Sequence, residues 1–304
     1  MLWVVMAVTL LLIVGCTGGG SAGNGADEGS SDNALVLAYD GWSGTYLPTY
    51  VVKQLLEEDL GYNAVVADQG TVPGAFQAVA EGRADIFTSG WFPSRDFTFS
   101  KYPQLAKLGL VYGGQARDAY EGWMVTNDLA QSYGIEHVRD LRDEAVASAL
   151  DFDGDGDGDL IGCPTDWACA RNNPEILSDY GLSGMYEIHT QDSERQLMES
   201  IQERFEQGEP LLFYMIQPVA FPEGFSVQGE ARWLEGTNQY LPLSFDRVIV
   251  RSDFIARHPE VAMLLDNLKV PGSDITEAMS EITDEGANDE TLERLASDWI
   301  SENR

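Results

Sequence analysis

Ala84-Asp85-Ile86-Phe87-Thr88-Ser89-Gly90-Trp91-Phe92-Pro93 follows a glycine at position 82 and breaks at a proline. The spacing predicts a helix over 73–82 ended by Gly82, then a buried strand, Ala84 to Ser89, that delivers Trp91 at its carboxyl end. Strands entered from helices build a parallel sheet. Ligands of open α/β sheets bind outside the carboxyl ends of the strands. Leu35-Val36-Leu37-Ala38-Tyr39 opens the folded region in the same way, and Trp42 lies in the loop Asp40-Gly41-Trp42-Ser43-Gly44 that follows it.

The alternation continues outward. Leu47, Val51, Leu55 and Leu56 predict one apolar helix face, with Pro48 tolerated in the first turn and Gly61 as the C-cap. Tyr62 to Val66 reads as a second strand. Further on, Tyr120 to Val125 reads as a strand, 138–142 as a helix start, 193–207 as an amphipathic helix and Leu211 to Met215 as a buried strand. Asp246 to Val250 is a strand, and helices follow over Pro259 to Leu268 and Asp289 to Asn303. Two α/β units joined by crossing segments predict an α/β protein of two lobes with a cleft between them. One lobe holds 34–119 plus 245–304 and the other 120–244. The folded part is long enough for one large or two medium domains, and no later segment is apolar enough to be a transmembrane helix.

Residues 1–15 carry no charged side chain and end Leu12-Ile13-Val14-Gly15 before Cys16. So short an apolar stretch fits a signal-peptide h-region rather than a bilayer span. Small residues before a cysteine resemble a bacterial lipobox, which makes 1–16 a lipoprotein signal peptide with Cys16 acylated; the other reading is an ordinary secretory peptide with a chance cysteine. No Lys or Arg precedes the apolar run. Residues 17–33 have the composition of a flexible tether.

Asp and Glu number 50 against 18 Lys and Arg, a formal charge of −32. Nucleic acid and anionic membrane surfaces are poor partners for such a chain. A cationic ligand would be attracted, although a solvated acidic surface suited to high salt explains most of the excess.

Three short stretches carry chemistry: Gly90 to Pro93, Gly162-Cys163-Pro164-Thr165-Asp166-Trp167-Ala168-Cys169, and Pro210-Leu211-Leu212-Phe213-Tyr214-Met215-Ile216-Gln217-Pro218. Rigid aromatics on loops can hold a quaternary ammonium ion, which has no N–H to donate and is bound by π-faces and exclusion of water. The competing reading is that these tryptophans are plain core residues. In an exported protein Cys163 and Cys169, an isolated pair with no nearby histidine, point to a disulfide rather than to zinc. No cofactor is expected. Asp151, Asp153, Asp155, Asp157 and Asp159 resemble a calcium loop, but Gly162 stands where a bidentate glutamate belongs. The alternatives are a structural calcium and a solvated acidic turn. An enzyme is the rival class. The three histidines, His137, His189 and His258, fall away from the tryptophan loops, and no G-x-S-x-G, P-loop or H-E-x-x-H occurs.

The run Asp151 to Cys169 resembles an Asp/Gly loop followed by G-C-x-P-x-W-G-C. Ala84 to Pro93 resembles A-x-x-T-x-x-x-W-x-P with one residue slipped, and Gly208-Glu209-Pro210 through Tyr214 and Pro218 resembles G-K-P-x-x-x-Y-x-W-x-P. These elements make the chain similar to the glycine betaine/proline betaine-binding proteins of osmoprotectant ABC importers, over about 35 to 303. The resemblance implies a type II-like periplasmic binding protein fold with a hinge and an interlobe cleft. Three tryptophans box the trimethylammonium group in that family. Trp91 matches the first and Trp167 the second, while the third falls on Ile216, with Tyr214 or Trp42 as replacement faces. The ligand carboxylate is implied to meet Arg95, where the family has a histidine, and the backbone N–H groups of Ala168 and Cys169. The implied protein is a monomer. It is lipid-anchored outside the cytoplasm, takes a small zwitterionic or cationic amine and presents it to a permease. The alternatives are another small amine or amino-acid-like solute, or a sensory role without an importer.

Overall fold

The computed structural model describes residues 33–113, 119–221, 226–227 and 229–304. The signal peptide, Cys16 and the tether up to residue 32 lie outside them. Among the described residues, β1 (Ala34–Tyr39), β2 (Asn63–Asp68), β3 (Ile86–Phe92) and β4 (Leu105–Leu108) belong to one sheet. β5 (Tyr120–Thr126), β6 (Gly158–Pro164), β7 (Tyr186–Gln191), β8 (Leu212–Gln217) and β9 (Ala231–Trp233) form a second, and β10 (Phe245–Arg251) returns to the first. The orders are β2-β1-β3-β10-β4 and β7-β6-β8-β5-β9. In each sheet the first three strands are parallel and the fourth runs against its neighbours on both sides. The protein is therefore α/β with two lobes of one topology, and the chain passes between them after β4 and again after β9.

The reversed strand in each sheet positions the site. Because β10 is antiparallel to β3, it starts where β3 ends, and Asp246 pairs with Trp91. Likewise β5 starts where β8 ends, and Glu121 pairs with Ile216. Paired residues put their side chains on the same face of a sheet. Each sheet thus brings an acidic residue to the edge where its parallel strands finish.

The helices follow from apolar spacing. α1 (Tyr46–Glu58) buries Leu47, Val51, Val52 and Leu56. It stops at Glu58, and Gly61, at φ +69°, turns the chain so that the Tyr62 N–H reaches the Leu56 carbonyl. α2 (Val72–Glu81) is capped by Thr71, whose hydroxyl accepts from the Gly74 N–H. α3 (Cys169–Asp179) and α4 (Glu194–Glu206) follow β6 and β7. α5 (Pro259–Asn267), α6 (Gly272–Glu285) and α7 (Asp289–Asn303) complete the first lobe, with α7 packed on α1. The helix expected from 138 is only a 3-10 turn, Val138–Arg142. His137 caps its start, and Asp143, in extended conformation, breaks it and caps a separate short helix, Glu144–Ala149.

Cys163, at the end of β6, is bonded to Cys169, the first residue of α3, with a Cα–Cα distance of 6.3 Å. The bridge closes the turn that carries Trp167. Closing so short a loop is worth about 2–3 kcal/mol of chain entropy. Replacing both cysteines by alanine should cost about that much in urea unfolding, and the exported wild-type protein should show no alkylatable thiol among the two by mass spectrometry. Two free thiols, or an unchanged unfolding midpoint, would refute the bridge.

Candidate functional site

Four segments of the first lobe meet at the carboxyl edge of its sheet. β1 ends in Asp40, which is buried and accepts hydrogen bonds from the Trp42 N–H at 3.2 Å and the Thr45 hydroxyl at 2.8 Å. These bonds fold the loop after β1 so that the Trp42 ring meets Trp91 edge-to-face, with centroids 5.2 Å apart and planes at 87°. Gly44 makes this possible, since a Cβ there would lie 2.5 Å from the Trp42 ring. Trp91 in turn donates its indole N–H to the Tyr112 hydroxyl at 2.7 Å. Asp246 ties its backbone to the same neighbourhood, its N–H donating to the Tyr112 carbonyl and its own carbonyl accepting from the Val111 N–H.

The second lobe presents a matching edge. Trp167, in the disulfide-closed turn after β6, contacts the Tyr214 ring of β8 with centroids 6.3 Å apart. Tyr214 donates its hydroxyl hydrogen to the Glu121 carboxylate at 2.7 Å. Ile216 is buried next to Glu121 and offers no ring. Ala168 caps the start of α3 without a side-chain bond, so the N-terminal N–H groups of α3 begin at Ala168 and Cys169. One aromatic pair thus stands on each lobe, Trp42 with Trp91 and Trp167 with Tyr214. Both are almost wholly buried.

Among the described residues, side-chain hydrogen bonds of Ser94 and Ser43 cross between the lobes, and the Ser94 hydroxyl also lies 3.1 Å from that of Ser244. Ser94, just past β3, donates to the other oxygen of the Glu121 carboxylate. Ser43 gives Glu194, the first residue of α4, both its N–H and its hydroxyl at 2.9 Å. Glu194 was not legible in the sequence, where it reads as an ordinary first-turn helix acid. Only the contact across the lobes reveals it.

The enclosed groups do not balance in charge. Burial raises the Asp40 pKa to about 6, against the lowering pull of Thr45, the Trp42 N–H and the Arg95 guanidinium. Burial likewise lifts Glu194 to about 7, with Asp40 adding to the rise and the two Ser43 donors opposing it. The Trp42 indole N–H also favours charged Glu194 without reaching hydrogen-bond geometry. Asp246 is pushed well above the carboxylate range by burial and then by Asp40. The Tyr112 and Tyr214 hydroxyls are held neutral by burial, and both feel the charge of Arg95. Arg95 is the guanidinium common to Asp40, Asp246, Tyr112 and Tyr214, and its buried Nε has no hydrogen-bond partner among the described residues.

The acidic loop behaves differently. Oxygens of Asp151, Asp153 and Asp159 lie within 4.8 Å of one another. Asp155 and Asp157 are not in that cluster. Asp151 accepts from the Gly154 and Gly156 N–H groups, Asp153 from Asp155 and Asp155 from Asp157. Asp159 is buried and bonded to the Phe152 N–H and the His189 ring. Calcium takes six to eight oxygens; Asp151, Asp153 and Asp159 offer three converging carboxylates, and Asp153 also lies within 4.8 Å of ligand atoms of Glu187 and His189.

Residues 33–302 match the family model described as the substrate binding domain of ABC-type glycine betaine transport systems. The chain belongs to this family. It is 24% identical over 275 residues to the glycine betaine-binding periplasmic protein OusX of Dickeya dadantii, covering 83% of this chain and 81% of that one. Among solved structures it is similar to the glycine betaine/L-proline-binding protein ProX of Borrelia burgdorferi, with TM-score 0.72 and 20% identity over 89% of this chain and 93% of that one. An ABC-transporter choline-binding protein in complex with choline also superposes, with TM-score 0.72 and 20% identity over 90% and 89%. At these identities the structures establish the fold, which is that of the two-lobed periplasmic binding proteins.

In a binding protein of this family, contacts made only between lobes act on the open–closed equilibrium. A hydrogen bond to a charged group contributes about 1.5–3 kcal/mol. Glu194→Ala should therefore weaken ligand affinity roughly tenfold or more and raise the ligand-free radius of gyration in solution scattering. An unchanged radius and affinity would mean that the Ser43–Glu194 contact does not bias closure.

Proposed function

We propose that this protein captures a quaternary ammonium zwitterion of the glycine betaine class outside the cytoplasm and delivers it to the permease of an ABC importer. The observation that carries the reading is the buried, unpaired Nε of Arg95 beside the Trp42–Trp91 pair. A zwitterion needs π-faces at one end and a charged donor at the other. Indole and phenol faces of Trp42, Trp91, Trp167 and Tyr214 would hold the trimethylammonium group, where the ring quadrupoles attract a cation that no donor or acceptor can bind. Arg95, with the N–H groups of Ala168 and Cys169 at the start of α3, would take the carboxylate. Ile216 leaves the position of a third tryptophan aliphatic, and Trp42 supplies the replacement face.

A second reading, a purely cationic amine such as choline, is favoured by the carboxylates of Asp40, Asp246 and Glu121 in the same cleft. Binding rather than catalysis is favoured by the histidines. His137 caps a 3-10 turn, His189 pairs with Asp159 and His258 packs against Tyr62 and Phe254, so none of these contacts involves Trp42, Trp91 or Trp167. The protein would act as a monomer held to the membrane by a lipid on Cys16.

Calorimetric titration with glycine betaine, proline betaine, choline and free amino acids tests the reading. Glycine betaine should bind with Kd at or below the micromolar range, and amino acids bearing N–H groups should not bind. Arg95→Ala should abolish the preference for glycine betaine over choline while leaving choline binding intact. Equal loss for both ligands, or no loss for either, would remove Arg95 from the site. For the anchor, Cys16→Ser should move the protein from the membrane fraction to the soluble one; a wild-type protein already soluble would remove the lipid.

A further inference from the structure

Asp246 is 0% exposed, and neither of its carboxylate oxygens has a hydrogen-bond partner among the described residues. It is not a stray core residue. It is the second residue of β10, opposite Trp91, at the edge where Arg95, Asp40 and Tyr112 converge. The titratable and charged groups that act on it are Asp40 after β1, Arg95 after β3 and Tyr112 after β4; Glu194 acts on Asp40, and across the cleft Tyr214 and Glu121 pair with each other and feel Arg95 through Tyr214. None of them donates to it. The Arg247 N–H leans toward it, short of hydrogen-bond geometry. An ionised carboxylate so placed carries a large desolvation cost with no compensating donor.

We propose that Asp246 is a ligand-reading residue of the cleft: its neutral carboxyl donates an O–H hydrogen bond to the carboxylate of the bound zwitterion, beside the bond from Arg95. The inference rests on the function proposed above and adds a group to it. The protonated acid satisfies its own donor, the ligand carboxylate gains a second partner, and the cleft avoids an unpaired buried anion. No covalent bond changes; the only chemistry is uptake of one proton from solvent as the lobes close.

The sign of the linkage follows. On this reading, opening of the lobes wets Asp246 and returns its pKa toward about 3.9. In the closed complex burial and Asp40 hold it well above that value. Binding is then strongest below the open-state pKa, and affinity falls as pH rises, by about tenfold per pH unit for each proton taken up, until the closed-state pKa is passed. Asp40 and Glu194 are also raised on burial and contribute with the same sign.

Isothermal titration of the full-length protein with glycine betaine, in buffers of differing ionisation enthalpy from about pH 6 to 8, reads the proton count directly. Wild type should take up protons on binding. Asp246→Asn, whose amide donates without a proton, should take up about one proton fewer and bind at least as tightly at the upper end of that range. Asp246→Leu, which fills the space but cannot donate, should bind about tenfold more weakly. Circular dichroism and unliganded melting check that both variants fold; if Asp246→Leu does not, Asp246→Asn alone decides. The same proton count in Asp246→Asn and wild type overturns the proposal, as does wild-type affinity in a folded Asp246→Leu. A wild-type protein that binds no glycine betaine overturns this inference and the function beneath it together. Binding with an unaltered proton count in Asp246→Asn overturns this inference alone.

Discussion

A carboxylate withdrawn from water needs a donor or a proton, and this cleft gathers four of them, two of which, Asp40 and Asp246, feel the Arg95 guanidinium. Asp40 finds Thr45 and a backbone N–H, Glu121 finds Tyr214 and Ser94, Glu194 finds Ser43, and Asp246 finds nothing. The topology imposes the arrangement. A sheet of parallel strands alone would offer strand ends and helix N-termini at its carboxyl edge. The antiparallel β10 and β5 start at those same edges and contribute Asp246 and Glu121. The site is therefore acidic where helix dipoles alone would make it anion-attracting, and Arg95 stands between the two tendencies.

That balance ties closure to ligand. Ser94–Glu121 and Ser43–Glu194 span the lobes, so each closed contact also desolvates a carboxylate. The gain from these three bonds is opposed by the cost of burying the carboxylates that accept them. A ligand that occupies the aromatic faces and pairs with Arg95 adds interaction energy only in the closed arrangement, which is what shifts such an equilibrium. Cation–π contacts suit this purpose. They are worth about 0.5–1 kcal/mol when exposed and 2 or more when desolvated, so the same rings bind better once the lobes have shut out water.

Strands and helices with one-sided apolar spacing were legible in the sequence: β1, β3, β5, β8, β10, α1, α4 and α7 lie within a few residues of their expected places. What was not legible is instructive. β6 begins at Gly158-Asp159, the last two residues of an Asp/Gly run that reads as a turn. Asp159 can enter a strand because the Phe152 N–H and His189 satisfy it there. β7, Tyr186-Glu187-Ile188-His189-Thr190-Gln191, is an edge strand with half-polar faces and so gives no apolar signal. α6 lacks an N-terminal side-chain cap, which removes the usual start signal. Of the residues proposed for the site, Trp91 and Trp167 stand out in the sequence by residue type and by the turns beside them, and Arg95 by the family resemblance. Asp40, Asp246, Glu121 and Glu194 do not, because a chain with 50 acidic residues hides four special ones. Their distinction is burial, and burial comes from the pairing of distant strands.

The same excess of acid acts on two scales that do not interfere. Surface carboxylates are solvated, and many are paired locally, as where Arg294 meets Glu281, Glu285 and Asp298. Their field reaches only about one Debye length, roughly 8 Å at physiological salt and 3 Å at 1 M. Such a field gathers cations without choosing among them, and salt weakens it. The cleft carboxylates of Asp40, Glu121 and Asp246 sit out of water and that of Glu194 partly so, all at fixed positions where screening is slight and geometry decides. A quaternary ammonium zwitterion carries no net charge and gains little from the outer field. Its recognition must come from the inner set, from ring faces that need a cation at one end and donors that need an anion at the other. A protein in strong brine would lose its steering and keep its selectivity.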